Sequence, residues 1–122
     1  MADQVLLIED EPNIIEAVGF ILARDGWSVA THANGTTAMD EIRRVRPDVL
    51  VLDVMLPGRS GYEVLRELRA DRQLAGLPVL MLTARGQEKD RVEAQKLGAT
   101  KFMTKPFANA ELLDAVREIA TL

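Results

Sequence analysis

Five short apolar runs alternate with five stretches of helical periodicity along this sequence, and that alternation restricts the fold more than any other feature. The runs are of strand length, are rich in β-forming residues, and lie at residues 5–8, 27–31, 49–52, 79–82 and 102–104. Strands that alternate with helices are typical of an α/β fold around a parallel sheet. Because 122 residues suffice for one core and not for two, we expect a single domain over residues 1–122.

The ends of the predicted helices carry recognisable signals. The first helix should end near Gly26 and the second before Pro47, while Ser60 begins a capping box that opens the third. The fourth is poor in apolar residues and should end at Gly98, and Asn109 should cap the fifth. We therefore expect five helices, of which the fourth is the most weakly anchored.

Strand composition indicates the strand order. The first, third and fourth runs are continuously apolar, as expected of strands covered by helices on both faces. The second and fifth are mixed with polar residues, as edge strands tend to be. This pattern is compatible with a doubly wound parallel sheet of order 2-1-3-4-5, a flavodoxin-like three-layer sandwich.

Composition excludes several functional classes. No apolar run is long enough to span a bilayer, and the start of the chain does not resemble a secretory signal, so we expect no membrane partner. The absence of cysteine excludes disulfides and thiolate chemistry and suits the cytoplasm. The net charge of −4 offers no basic face for direct nucleic-acid binding. The acidic excess is concentrated in residues 1–26, which hold six acids and one base.

Polar side chains that could do chemistry follow four of the predicted strands. Glu9 and Asp10 follow the first strand, Asp53 the third, Thr83 the fourth and Lys105 the fifth. The carboxyl ends of parallel strands meet at one edge of the sheet, where open α/β folds bind ligands. We therefore expect three carboxylates, one hydroxyl and one ammonium in one crevice.

Charge repulsion in that crevice calls for a cation. Two carboxylates about 5 Å apart repel by about 3 kcal/mol at an effective dielectric of about 20. Lys105 supplies one positive charge, and oxygen ligands favour Mg²⁺, with Mn²⁺ as a possible substitute. Mg²⁺ in such sites commonly retains waters and binds phosphate oxygens. The set therefore indicates phosphoryl chemistry with a carboxylate nucleophile.

Four motifs together resemble the receiver domain of response regulators in two-component signalling, a family that includes the chemotaxis regulators. The motifs are Val5-Leu6-Leu7-Ile8-Glu9-Asp10-Glu11, Asp53-Val54-Met55-Leu56-Pro57 with Gly61, Thr83-Ala84, and Lys105-Pro106-Phe107. They occur in the family's order, and the resemblance covers nearly the whole chain.

The resemblance implies a role for each acidic residue of the crevice. Asp53 corresponds to the phosphoacceptor, which takes its phosphoryl group from a phosphohistidine. Asp10 corresponds to a direct metal ligand and Glu9 to its companion, which usually acts through water. The backbone carbonyl of Met55 corresponds to a further ligand.

The resemblance also implies a switch. Thr83 corresponds to the hydroxyl that moves onto the phosphoryl group, and Lys105 to the cation that pairs with Asp53 and then with the phosphoryl group. The bond between Lys105 and Pro106 is expected to be cis. Phe102 corresponds to the switch aromatic, which in many relatives is tyrosine, so here only its packing can report the state.

Three positions are expected to tune the lifetime of the phosphoryl group. Met55 and Arg85 each lie two residues beyond a site residue, and Ala84 is small enough to leave Asp53 accessible. Because neither Met55 nor Arg85 orients water well, we expect slow hydrolysis.

The partners implied are a histidine kinase or a histidine phosphotransfer protein, and either an unknown output protein or a C-terminal effector domain missing from this chain. The surface formed by the fourth helix, fifth strand and fifth helix should change on phosphorylation. We expect a monomer before phosphorylation, with a dimer through that surface possible after it. Such a domain turns over no external substrate and is not an enzyme in the usual sense.

Simpler interpretations exist for each residue taken alone. The acids at residues 9–11 could form a solvated helix start, Asp53 a turn cap, and Phe102 an ordinary half-buried aromatic. His32, the only histidine, should be exposed and without a role in phosphotransfer.

Three other functions remain open. The chain could be the receiver half of a DNA-binding regulator. It could be a Mg²⁺-dependent phosphohydrolase, although such enzymes typically carry an acid where Met55 stands. A flavin carrier of flavodoxin type is disfavoured, because the phosphate-binding Ser/Thr/Gly loop after the first strand is absent and Asp10-Glu11-Pro12 would repel a phosphate without a metal.

Overall fold

The computed structural model describes residues 3–84 and 86–121, in which five strands alternate with five helices. In chain order these are β1 (Gln4–Ile8), α1 (Pro12–Arg24), β2 (Ser28–His32), α2 (Ala38–Val45), β3 (Val49–Asp53), α3 (Gly61–Ala70), β4 (Val79–Thr83), α4 (Glu88–Leu97), β5 (Lys101–Thr104) and α5 (Asn109–Ala120). The predicted α/β class is confirmed. Within the described residues, none of the helices has the length and apolar composition needed to cross a membrane.

All five strands are parallel and lie in the order β2-β1-β3-β4-β5, as the composition of the runs indicated. Every residue of β3 and β4 is buried, whereas β2 and β5 at the edges are partly exposed. The pairing of β1 with β3 aligns Ile8 with Leu52, and the pairing of β3 with β4 aligns Asp53 with Leu82. The carboxyl ends of the central strands therefore lie nearly level at one edge of the sheet.

Alternate residues of the central strands enter two separate cores. Leu7, Val51 and Leu82 pack with α1 and α5 on one face of the sheet. Leu6 and Leu50 pack with α2, α3 and α4 on the other face. The two faces together give the predicted three-layer sandwich, in which every residue of β3 and β4 is buried.

The predicted capping box at the start of α3 is present. Ser60 Oγ accepts a hydrogen bond from the Glu63 amide at 3.2 Å, and the Glu63 carboxylate accepts one from the Ser60 amide at 3.4 Å. The next residue, Gly61, lies against the end of β3, where its amide donates to the Val54 carbonyl at 2.8 Å. A Cβ atom on Gly61 would lie 2.2 Å from the carbonyl oxygen of Asp53. The start of α3 is thus fitted to the backbone that carries Asp53.

The start of α5 differs from expectation, whereas α2 ends before Pro47 as predicted. The prediction that Asn109 caps α5 is wrong, because Asn109 is the first helical residue and Ala108 precedes it in extended conformation. The Glu111 carboxylate reaches back to the Ala108 amide at 3.4 Å and takes over one free donor of the first turn. At the end of α2, Arg46 adopts a left-handed conformation with φ of 50°, a position where glycine is usual.

Replacement of Gly61 by alanine should destabilise the protein, since the added Cβ atom cannot avoid the Asp53 backbone. We expect Gly61→Ala to lower the free energy of unfolding by about 2 kcal/mol, the usual cost of overpacking. Gly76→Ala is the matched control, because no atom lies within 4 Å of a Cβ there. Urea denaturation measures both, and equal stability of the two variants would contradict the close packing described.

Candidate functional site

The carboxyl edge of the sheet brings together the acidic residues predicted to share a site. Glu9, Asp10 and Asp53 each place a carboxylate oxygen within 4.8 Å of the others. Glu9 and Asp53 are buried, whereas Asp10 is exposed. The cluster therefore has two carboxylates inside the protein and one that faces the opening.

Backbone hydrogen bonds that continue beyond the strand ends hold these residues in place. The Glu9 amide donates to the His32 carbonyl at 2.9 Å, which extends the pairing of β1 with β2 by one residue. The Lys105 amide donates to the Thr83 carbonyl at 2.7 Å and extends the pairing of β5 with β4 in the same way. The site residues are thus fixed by the sheet itself rather than by free loops.

Lys105 is the cation of the cluster and contacts three carboxylates. Its Nζ lies 2.8 and 3.1 Å from the two oxygens of Glu9 and 3.0 Å from Glu11 Oε1, all as hydrogen bonds. It also lies 3.2 Å from Asp53 Oδ1, at ion-pair distance. That buried oxygen accepts no hydrogen bond from any described residue. The charge of Asp53 is thus partly balanced while this oxygen atom keeps a free lone pair.

Glu11 is a contact that the sequence analysis did not assign, although its residue was part of the quoted motif. Its carboxylate is largely exposed and reaches Lys105 from the first residue before α1. Glu9 and Glu11 are two residues apart, and Glu11 is in extended conformation. Side chains two apart on an extended segment lie on the same side, so a period of two could have identified Glu11 as a second partner.

Burial makes the cluster electrostatically unfavourable for its own carboxylates. Burial raises the pKa of Glu9 to about 7, helped by the charge of Asp53 and opposed by Lys105. Burial likewise raises the pKa of Asp53 against the effect of Lys105. For Lys105, burial alone would lower the pKa, but hydrogen bonds to Glu9 and Glu11 outweigh it and raise the pKa. One ammonium therefore does not fully compensate the carboxylates.

The donor set suits a hard divalent cation. Its side-chain ligands are carboxylate oxygens only, which favours Mg²⁺ and disfavours zinc or copper. The free Asp53 Oδ1 atom is a ready additional ligand atom. The Met55 amide donates a hydrogen bond to the Asp53 carboxylate, so the backbone at Met55 lies beside the cluster. The participation of the Met55 carbonyl in metal binding stays a prediction.

The residues predicted to form the switch lie on the neighbouring strands. Thr83 ends β4 and is almost fully buried. Phe102 lies on β5 opposite Met81, half-buried against the core that includes α4. Ala84 is exposed beside the cluster, the side chain of Met55 is 60% exposed, and Arg85 lies outside the described residues.

His32 differs from its prediction. Its side chain is only 20% exposed, so the prediction of an exposed residue is wrong. Nε2 lies 2.7 Å from Thr37 Oγ1, and Nδ1 lies 3.4 Å from Glu41. These contacts connect the end of β2 to α2.

An apolar groove opens beside Lys105. Its lining includes Ile14 and Ala17 from α1, Ala84, and Pro106, whose peptide bond with Lys105 is cis as expected. Farther along α1, Phe20 is 67% exposed and lines a second groove with Leu113 of α5. This exposed face of α1 was not predicted from the sequence.

A family model described as the response regulator receiver domain matches residues 5–117, a range that contains every side chain of the cluster. The chain belongs to the response regulator receiver family. The predicted family is therefore confirmed, together with the strand order that the resemblance implied.

Relatives of this receiver domain include two bacterial regulators. The Probable transcriptional regulatory protein TcrX of Mycobacterium tuberculosis is 43% identical over 115 residues, which cover 94% of this chain and 48% of TcrX. The phosphate regulon transcriptional regulatory protein PhoB of Escherichia coli is 37% identical over 119 residues, which cover 98% of this chain and 52% of PhoB. The chain thus spans about half the length of these relatives.

A solved structure provides a further comparison. The receiver domain of the sensor histidine kinase PA1611 from Pseudomonas aeruginosa PAO1 has a TM-score of 0.90 and 30% identity, with 100% of both chains covered. That receiver domain was crystallised with a magnesium ion coordinated in its active site cleft. The fold of this chain is therefore that of receiver domains which bind magnesium in at least one case.

The raised pKa of Glu9 predicts how stability of this receiver domain depends on pH. Between about pH 4.5 and 7 the unfolded chain ionises this carboxyl more readily than the folded protein does, so Glu9 lowers folded-state stability increasingly as pH rises. In metal-free buffer, Glu9→Gln should therefore gain stability relative to wild type across that window, by on the order of 2 kcal/mol.

Urea denaturation with a chelator, repeated from pH 4.5 to 8, measures this difference. The control is Glu16→Gln, since Glu16 is an exposed carboxylate on α1, outside the cluster. A constant difference between Glu9→Gln and wild type would show that Glu9 ionises normally in the folded protein.

Proposed function

We propose that this chain is a single receiver domain over residues 1–122 that accepts a phosphoryl group on Asp53 and signals through the resulting change of surface. The main support for this proposal is the environment of the Asp53 carboxylate. It is buried at the carboxyl edge of the sheet, lies 3.2 Å from a lysine ammonium, and keeps one oxygen free of hydrogen bonds to the described residues. A nucleophile in phosphoryl transfer needs this combination of a free lone pair and nearby positive charge.

In the proposed reaction, a carboxylate oxygen of Asp53 attacks the phosphorus of a phosphohistidine on the partner. The phosphorus–nitrogen bond breaks, and its electron pair stays on the imidazole nitrogen. Lys105 offsets the negative charge that collects on the phosphoryl oxygens, since its Nζ already lies beside Asp53. Hydrolysis of the acyl phosphate returns Asp53 to its free state, so the domain acts on itself and turns over no external substrate.

We propose Mg²⁺ as the cofactor, with Mn²⁺ as a substitute. Asp10, Asp53 and the Met55 carbonyl would hold it directly and Glu9 through water. The bound ion would supply positive charge to the phosphoryl oxygens. The carboxylate cluster of this chain and the magnesium in the PA1611 receiver domain support this assignment.

The proposed switch consists of Thr83 and Phe102. The Thr83 hydroxyl would bind the phosphoryl group, and Phe102 would repack into the space beside β4. Because Phe102 has no hydroxyl group, packing alone would transmit the change to the surface of α4, β5 and α5. Exposure also supports the proposed tuning by Met55 and Ala84. Tuning by Arg85 is proposed from the sequence, since Arg85 lies two residues beyond Thr83.

The partner that supplies the phosphoryl group would be a histidine kinase or a histidine phosphotransfer protein. Its histidine must reach Asp53, so its surface must cover the opening beside Lys105. The apolar groove at α1 adjoins that opening, and Phe20 extends the apolar surface along the same helix. We propose that the helix carrying the phosphohistidine packs on this face of α1.

The signal would pass to an effector beyond this domain. The two relatives are about twice as long and are named transcriptional regulatory proteins, which favours a C-terminal effector that acts on transcription. A separate output protein is the alternative. The domain itself would work in the cytoplasm without direct contact to nucleic acid, as a monomer that could dimerise through α4, β5 and α5.

Incubation with acetyl phosphate and Mg²⁺ tests the acceptor directly. We expect a mass increase of one phosphoryl group in wild type and none in Asp53→Asn, because the amide oxygen is too weak a nucleophile. Intact-mass spectrometry measures the product. Mg²⁺ at millimolar concentration should also raise the Tm of wild type, as a ligand of the folded state does. Stoichiometric phosphorylation of Asp53→Asn would remove Asp53 from the proposal.

Replacement of Phe20 tests the docking face. We expect Phe20→Ala to raise the KM for a phosphorylated histidine donor about tenfold, the usual loss at an aromatic anchor. The rate with acetyl phosphate should stay unchanged, since the small donor needs no docking surface. Stopped-flow fluorescence or the loss of phosphate from the donor measures the KM for the histidine donor and the rate with acetyl phosphate. An unchanged KM would place the donor on another face.

A further inference from the structure

Arg69, near the end of α3, holds three chain segments together. Its Nε donates to the Gly98 carbonyl at 2.9 Å, and Nη1 donates to the carbonyls of Ala75 and Leu77 at 3.0 and 2.7 Å. Nη2 lies 3.4 Å from Thr100 Oγ1. The guanidinium thus connects the end of α4 and the start of β5 to the loop that precedes β4.

These contacts are made with neutral groups. The hydrogen bonds that Arg69 makes with other described residues go to carbonyl and hydroxyl oxygens, and burial lowers its pKa. An arginine that bonds several backbone carbonyls uses its rigid fork of donors to fix their relative positions. Arg69 therefore sets geometry between segments.

The fixed end of α4 is its carboxyl end. Gly98 follows the helix in a left-handed conformation, with φ of 100°, and a Cβ atom there would lie 3.0 Å from the Arg69 side chain. The Ala99 amide donates back to the Ala94 carbonyl at 2.9 Å. Ala94 is the fully buried residue of α4, and it too lies in the second half of the helix.

The amino end of α4 has much less support. Gln87 precedes the helix and its side chain provides no capping hydrogen bond. The first helical residues, Glu88 and Lys89, are exposed. This end follows Thr83 by only a few residues along the chain, whereas Phe102 lines a groove with Gln95 and Ala99 at the carboxyl half of the helix.

We propose that Arg69 is a positioning residue that clamps the carboxyl end of α4, so that the helix responds to the site as a lever hinged at Gly98. This inference rests on the proposed function, because phosphorylation of Asp53 supplies the motion. A change at Thr83 displaces the amino end of α4, and the clamp converts that displacement into a rotation of the helix. Without the hydrogen bonds of Arg69, the whole helix would shift or fray, and the surface that an effector contacts would no longer have a single conformation.

Hydrogen exchange of individual amides, measured by NMR, tests the clamp before any phosphorylation. In Arg69→Met we expect exchange at the Gly98 and Ala99 amides to become about tenfold faster, since loss of several hydrogen bonds favours local opening. The Asp90 and Arg91 amides at the amino end should stay within about twofold of wild type. Arg66→Met is the matched control, because Arg66 is exposed on the same helix. Unchanged protection at Gly98 and Ala99 would overturn the proposal.

The same amides are then followed after phosphorylation with acetyl phosphate and Mg²⁺. In wild type and Arg66→Met, exchange should change at Asp90 and Arg91 and stay within about twofold at Gly98 and Ala99. In Arg69→Met, both ends should change. The lever would be overturned if amide exchange changed equally at both ends of α4 in wild type. It would also be overturned if Arg69→Met kept the difference between the two ends that wild type shows.

Two measures keep the outcome decisive. If Arg69→Met does not fold, Arg69→Gln takes its place, which keeps two donors of the original five and should give the same pattern at smaller amplitude. Intact mass of every sample reports whether the chain carries a phosphoryl group. Wild type that takes no phosphate refutes the proposed function, whereas phosphorylated wild type without a contrast between the ends of α4 refutes only the lever.

Discussion

The contacts of Lys105 with carboxylates from two other chain segments are the interaction on which the site depends. Glu9 follows β1, Asp53 ends β3, and Lys105 follows β5 at the edge of the sheet. Two carboxylates that are nearly inaccessible to water would repel each other and be poorly solvated without a cation between them. The ammonium permits the acids to approach, yet the raised pKa values of Glu9 and Asp53 show that their compensation is incomplete. That residual negative charge suits the site to a further cation.

Much of the fold could be predicted because its signals are local. A continuously apolar strand such as 49–52 must be covered on both faces, and a capping box such as that at Ser60 marks a helix start within the same few residues. Strand ends then follow from strand positions, and parallel pairing brings Glu9, Asp53 and Lys105 to one edge. The candidate site was predictable to the extent that it depends on where strands end.

Features that depend on side-chain direction or on contacts across the chain were harder to predict. Glu11 lies in the quoted motif, but its contact with Lys105 requires knowing that the chain stays extended until α1 begins. Asn109 is a good capping residue by type, yet Glu111 provides the contact at the helix start from inside the helix. His32 appeared exposed because it ends an edge strand, whereas α2 brings Thr37 and Glu41 against its ring.

The weakness of α4 was visible in its sequence, but its asymmetry was not. Few apolar residues between Gln87 and Leu97 indicate little buried surface, and this holds for the helix as a whole. Arg69 is 29 residues from Gly98, and no pattern within α4 points to it. A uniformly loose helix can respond to a distant site only by loosening further, because it has no second defined arrangement. A helix held at one end can instead take two defined positions, which is what a switch between two states requires. The long-range clamp therefore turns a local weakness of the sequence into a directed motion.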